Sequence, residues 1–98
     1  MPVESSVEND GKDLTISIVG RFDFELVQEF RSAYAEKEAV NYIIDMRSTE
    51  HMDSSALGML LNMRKSLGEG ANISIINCRP QIKKILTISR FDKKFKIE

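Results

Sequence analysis

The sequence predicts an α/β fold, a mixed central β-sheet with amphipathic helices in the order β-β-α-β-α-β-α. Three observations carry this. Leu14, Ile16 and Ile18 alternate with Thr15, Ser17 and Val19, the period-2 pattern of a strand with one face in a core. Leu26, Val27, Phe30, Ala33 and Tyr34 recur at helical spacing, with Glu25, Gln28, Glu29 and Arg31 off that stripe. The short apolar runs Tyr42-Ile43-Ile44 and Ile73 to Ile76 are separated by a further helical stretch, as parallel strands are.

The elements follow in order. Residues 3–8 predict an edge strand, and Asn9-Asp10-Gly11-Lys12 carries hairpin chemistry because Asp-Gly tolerates positive φ. The first strand therefore pairs antiparallel with the strand over 14–19, which Gly20 ends. Asp23 is placed to cap the next helix. Tyr42 to Asp45 suits a strand buried on both faces, and Met46 to Asp53 reads as a polar connection. A second helix runs from about Ser54 to Leu67, capped by Asp53 and stopped at Gly68 and Gly70, with Leu57, Leu60, Leu61 and Leu67 as its core stripe. Asn72 to Asn77 is another buried strand. Pro80 fits the first turn of a third helix carrying Ile82, Ile85, Leu86 and Ile88, and Phe95-Lys96-Ile97 has the composition of a final strand. Right-handed crossovers align the strands near 14–19, 40–45 and 72–77 in parallel.

Ninety-eight residues suit a single domain over 1–98, with its core at about 10–97. Hydrophobic residues at 42% and charged residues at 30% exclude a largely disordered chain. A net charge of −1 argues against nucleic acid as the main partner. The charge is unevenly placed: residues 1–78 carry 7 basic and 13 acidic side chains, residues 79–98 carry 7 basic and 2 acidic. The basic end, with Lys83, Lys84, Lys93, Lys94 and Lys96, either solubilises the last helix or meets an acidic protein surface. No apolar run is long enough to insert in a membrane, and the first residues lack the pattern of a secretory signal, so the expected location is the cytoplasm. Cys78 has no second cysteine to pair with and reads as a small buried residue at a strand end.

The stretch Glu50-His51-Met52-Asp53-Ser54-Ser55-Ala56-Leu57-Gly58-Met59-Leu60-Leu61 holds the most chemistry. A serine at a helix start faces unpaired N–H groups and the positive end of the helix dipole, where an anion is favoured. Ser54 is thus both a capping-region residue and a candidate phosphorylation site, and the two roles are compatible. Asp23, Asp53 and Ser55 can cap or contact a partner. Ala56, Met59 and Met63 form a stripe beside the leucines that serves either the core or a binding surface. An enzyme built on Ser54 and His51 lacks a third orienting group and a Gly-x-Ser-x-Gly elbow. His51 then reads as an exposed loop residue. Neither a P-loop, a dinucleotide fingerprint nor a metal-ligand cluster occurs, so neither catalysis nor a cofactor is expected.

Asp53-Ser54-Ser55-Ala56-Leu57-Gly58-Met59-Leu60-Leu61, after Tyr42-Ile43-Ile44-Asp45-Met46, resembles the signature of the STAS domain, in particular of the bacterial anti-sigma factor antagonists. Gly20-Arg21-Phe22-Asp23 is similar to the family's Gly-x-x-Asp. Ile73 to Cys78 with Arg79-Pro80, and Ile85 to Phe95, are similar to its later segments. The resemblance implies that Ser54 is the phosphorylated position and that Asp23 faces the partner. It further implies that the partner is an anti-sigma factor and ATP-dependent serine kinase, opposed by a metal-dependent serine phosphatase. The unphosphorylated chain then binds the kinase and frees a sigma factor; the phosphorylated chain lets go. STAS domains also serve as regulatory subunits of membrane transporters, which is the alternative function. Ala56 stands where many relatives have glycine, and many relatives continue into a further helix after Ile97, so a partner or a second copy in a homodimer is expected to cover surface there.

Overall fold

The computed structural model describes residues 2–98; Met1, part of the domain expected over 1–98, lies outside the described residues. The strands are β1 (Val3–Glu8), β2 (Asp13–Ile18), β3 (Gly20–Phe22), β4 (Asn41–Asp45), β5 (Thr49–Met52), β6 (Asn72–Ile76) and β7 (Lys96–Ile97). The helices are α1 (Val27–Tyr34), α2 (Ser54–Leu67) and α3 (Pro80–Ile88), with 3₁₀ turns at Phe24–Leu26 and Phe91–Lys93. Five strands form the main sheet in the order β1-β2-β4-β6-β7, and β3 pairs with β5 in a separate two-stranded ribbon.

The hairpin forms as its turn chemistry dictates. Asp10 and Gly11 both have positive φ, 57° and 82°, and the Lys12 N–H donates to the Asn9 carbonyl at 3.1 Å. β1 therefore runs antiparallel to β2, while β2, β4, β6 and β7 are mutually parallel.

The strand order never reverses along β2-β4-β6-β7. With right-handed crossovers, α1, α2 and α3 must all land on the same face of the sheet. Burial follows that rule. Leu14, Ile16, Ile18, Tyr42, Ile44, Ile73 and Ile75 point to the helices and are buried. The register rows on the other face, such as Ser6–Thr15–Ile43–Ser74–Lys96, contain no fully buried residue. This corrects the expectation that Tyr42–Asp45 and Asn72–Asn77 are buried on both faces. Polar ladders occupy the open side: Asn41 Nδ2 donates to Asp13 Oδ1 at 2.8 Å and Asn72 Nδ2 to Asn41 Oδ1 at 2.6 Å.

Two further expectations are corrected. β2 ends at Ile18, one residue before the expected end at Val19, and Gly20, with φ 84°, is already the first residue of a further strand, β3. The supposed polar connection from Met46 to Asp53 contains β5, and Met46 and Thr49 in it are both 0% exposed. The Thr49 hydroxyl donates to the Ile18 carbonyl at 2.7 Å, tying β5 to the end of β2. His51, expected in a loop, is therefore an exposed strand residue. Cys78 is half-buried just past β6, and desolvation there pushes its thiol pKa up.

The closing segment is anchored by Arg64, buried on α2. Its guanidinium donates to the carbonyls of Gly68 (3.0 Å), Ala71 (2.8 Å) and Lys94, and it stacks over Phe95. On α3 only Ile82 and Leu86 are buried; Ile85 and Ile88 of the expected apolar set lie at the surface.

Candidate functional site

The β3–β5 ribbon builds the site. Arg21 pairs with His51 and Phe22 with Met52 in parallel register, and the Asp53 N–H donates to the Phe22 carbonyl at 3.5 Å. Side chains alternate along a strand, so Phe22, 0% exposed, anchors the ribbon in the core while Arg21 and Asp23 turn outward. Arg21, Asp23, His51 and Asp53 line one open cavity of about 220 Å³. Two aspartates 30 positions apart in sequence thus end neighbouring strands, and each begins a helical segment.

Their capping differs in kind. Asp23 Oδ1 accepts from the Glu25 N–H at 3.0 Å, so it caps the 3₁₀ turn Phe24–Leu26 and not α1 itself. Asp53 Oδ1 accepts from the N–H groups of Ser55 (3.0 Å) and Ala56 (3.3 Å), which makes it the N-cap of α2. It also accepts from the Ser55 hydroxyl at 2.5 Å. That hydroxyl bond, the two amide bonds and the charge of Arg21 hold the Asp53 carboxyl below the usual carboxylate range, against the opposing effect of desolvation.

The two serines are thereby separated. Ser55 is half-buried and its hydroxyl is committed to Asp53. Ser54, the first residue of α2, is exposed. Of the two, Ser54 is the one open to solvent.

A STAS domain model matches residues 4–98. A STAS-domain containing protein of Pseudomonas aeruginosa is 48% identical over 101 residues, covering 99% of each chain. The chain belongs to the STAS domain family. Among solved structures, the anti-sigma factor antagonist SpoIIAA in its unphosphorylated form aligns with a TM-score of 0.77 at 19% identity, over 98% of this chain and 87% of that one. A sulfate transporter family protein of Wolinella succinogenes aligns with a TM-score of 0.74 at 16% identity, over 93% and 80%. At such identities the likeness is one of fold.

In this STAS domain the methionine stripe does not face outward. Ala56 and Met63 are 0% exposed and Met59 is 7% exposed, so all three are core and none can offer its side chain to a partner. The buried face of α2 is Ala56, Met59, Leu60, Met63 and Arg64. Leu57 and Leu67 are half-buried and Leu61 is 40% exposed, so the expected leucine stripe is rotated as well. The cause is that the apolar residues of α2 spread over an arc wider than the face that is buried. Periodicity then names no unique face, and contact with the sheet and α1 decides.

The surface that remains near Ser54 differs from the expected one. Along α2 it holds Ser54, Gly58, Leu61 and Asn62, all exposed at helical spacing. Beside Asp23 it holds Phe24, 69% exposed, and Val27, 43% exposed. Phe24 and Arg21 were not singled out in the sequence. An aromatic directly after a capping aspartate was the available signal for Phe24, because a short 3₁₀ turn cannot bury successive residues on one side.

Proposed function

We propose that this STAS domain is an anti-sigma factor antagonist whose grip on its partner is set by phosphorylation of Ser54. The observation that carries the proposal is the exposure of Ser54 at the first position of α2, beside Asp23 and Asp53, while the neighbouring Ser55 is bound to its cap. In this reading the partner is an anti-sigma factor that is also a serine kinase. The γ-phosphoryl group of ATP passes to Ser54 Oγ, the hydroxyl proton is lost and ADP leaves. A serine phosphatase returns the hydroxyl. The chain acts by binding and catalyses nothing itself.

The physical basis of the switch is desolvation. A hydroxyl at a small exposed helix start is easily covered by a docked protein. A phosphate there carries about −1.5 to −2 charges, and covering it without matching cations on the docked partner costs several kcal/mol, on the order of any unpaired buried charge. Asp23 and Asp53 outnumber the one arginine, Arg21, in the cavity beside it, so the added charge raises the negative charge a partner must meet. Phe24, Val27, Leu61 and Asn62 provide the apolar and polar contacts around it.

Incubation with the cognate kinase and ATP tests the proposal. Wild-type protein should take up one phosphate and Ser54→Ala none; equal labelling of the two defeats the site assignment. The fold likeness to a sulfate transporter family protein supports a second reading, a regulatory subunit docked constitutively on a transporter. In that case Ser54 takes up no phosphate, and Ser54→Asp leaves docking unchanged.

A further inference from the structure

Arg21 stands at the mouth of α2 without a committed partner. It lies on β3 opposite His51, and both line the cavity that Asp23 and Asp53 share. Its side chain is 76% exposed, and its Nε stops 3.7 Å from Asp23 Oδ2, beyond the range of a charge-assisted hydrogen bond. Its charge also reaches Asp53, the residue just before Ser54. One loosely held guanidinium therefore serves two carboxylates.

We propose that Arg21 is the counter-ion of a phosphate carried on Ser54: its guanidinium departs from Asp23 and donates to the phosphate oxygens. The inference rests on the reading of Ser54 as the modified residue and adds what receives the charge. A dianion outcompetes a single carboxylate for the same cation, and the planar guanidinium fork matches two phosphate oxygens at once. The other charged or titratable groups lining this cavity are Asp23 and Asp53, which repel the phosphate, and His51. Among the described residues lining the cavity, Arg21 is the one guanidinium. The exchange also bares Asp23. Phosphorylation then alters the surface at two positions, adding charge at Ser54 and unpairing a carboxylate on the neighbouring strand.

The test introduces phosphoserine at position 54 during translation of the full chain and follows its phosphorus NMR signal against pH. The second phosphate pKa of free phosphoserine is about 6. Arg21→Gln should raise it by about half a unit or more relative to the wild-type background, and the difference should shrink as salt is added. Equal values in the two backgrounds, or a rise produced by His51→Gln alone, would overturn the assignment. Because no kinase is used, the result is independent of whether a kinase modifies Ser54, which the labelling experiment decides. Arg21 is mostly exposed, so the variant keeps the packing of the ribbon, and amide spectra of both proteins confirm it.

Discussion

Ser55 Oγ donates to Asp53 Oδ1 at 2.5 Å, and this bond divides the labour between two adjacent serines. One serine completes the helix cap. The other, Ser54, is left at the surface next to Asp53, one of the residues lining the cavity shared by Arg21, Asp23 and His51.

On the binding side, the proposed switch expects Ser54→Ala to hold the proposed anti-sigma partner constitutively. Ser54→Asp should bind at least about tenfold more weakly, through like-charge repulsion and desolvation. Titration calorimetry reads both, and equal affinity for the two variants would rule out the electrostatic switch. Asp23→Ala should disturb binding or phosphorylation while the thermal midpoint stays close to wild type. Loss of the fold would instead make capping of the 3₁₀ turn its main role.

Asp53 makes stability depend on pH with a definite sign. Its folded-state pKa is lowered, so its contribution is complete above the ordinary carboxylate range and is lost as pH falls through the folded value. Asp53→Ala should therefore unfold at lower urea than wild type at pH 7. Below the folded pKa of Asp53 the two midpoints should converge. A gap that stays constant with pH would mean the carboxylate charge plays no part in the cap.

Thr49 tests whether the ribbon positions the site. Its hydroxyl is fully buried and its one bond goes to the Ile18 carbonyl. Thr49→Val keeps the shape but orphans that carbonyl, which costs about 1–3 kcal/mol. Urea denaturation measures the loss. Hydrogen exchange should show the amides of β3 and β5 losing protection before those of β4 and β6, and uniform loss would contradict a locally held ribbon.

The one-sided sheet separates two adjacent isoleucines. Ile44 is 0% exposed beneath the helices, whereas Ile43 lies on the open face. Ile44→Ala should cost about 2–5 kcal/mol, the range for truncating a buried aliphatic side chain. The loss for Ile43→Ala should be about 1 kcal/mol, since half-buried positions forfeit less area. Comparable losses from chemical denaturation would show that something covers the open face in solution.

Much of this molecule was legible from local pattern. The alternation of Leu14, Ile16 and Ile18, the Asp-Gly turn, the Asp53 cap and Pro80 at the start of α3 each act through neighbours a few residues away. Side-chain period, cap chemistry and ring-fixed φ are local properties, and all of these elements formed where the chain specified them. The helical stripe of α1 was nearly right, with Val27 alone escaping to the surface because the 3₁₀ turn that Asp23 caps shifts the start of the helix.

By itself, then, the chain determined the five strands of the main sheet, the three helices and that a serine opens α2, but not β3 and β5. Only tertiary structure decided which face of α2 is buried, because its apolar residues spread over a wider arc than the core can cover and packing selects among them. It also decided that Asp23 and Asp53 meet. Thr49-Glu50-His51-Met52 has no alternating apolar pattern, and it becomes a strand by pairing with a segment 30 residues earlier. Parallel pairing across such a distance leaves no local trace, since its hydrogen bonds come from backbone groups that every residue carries.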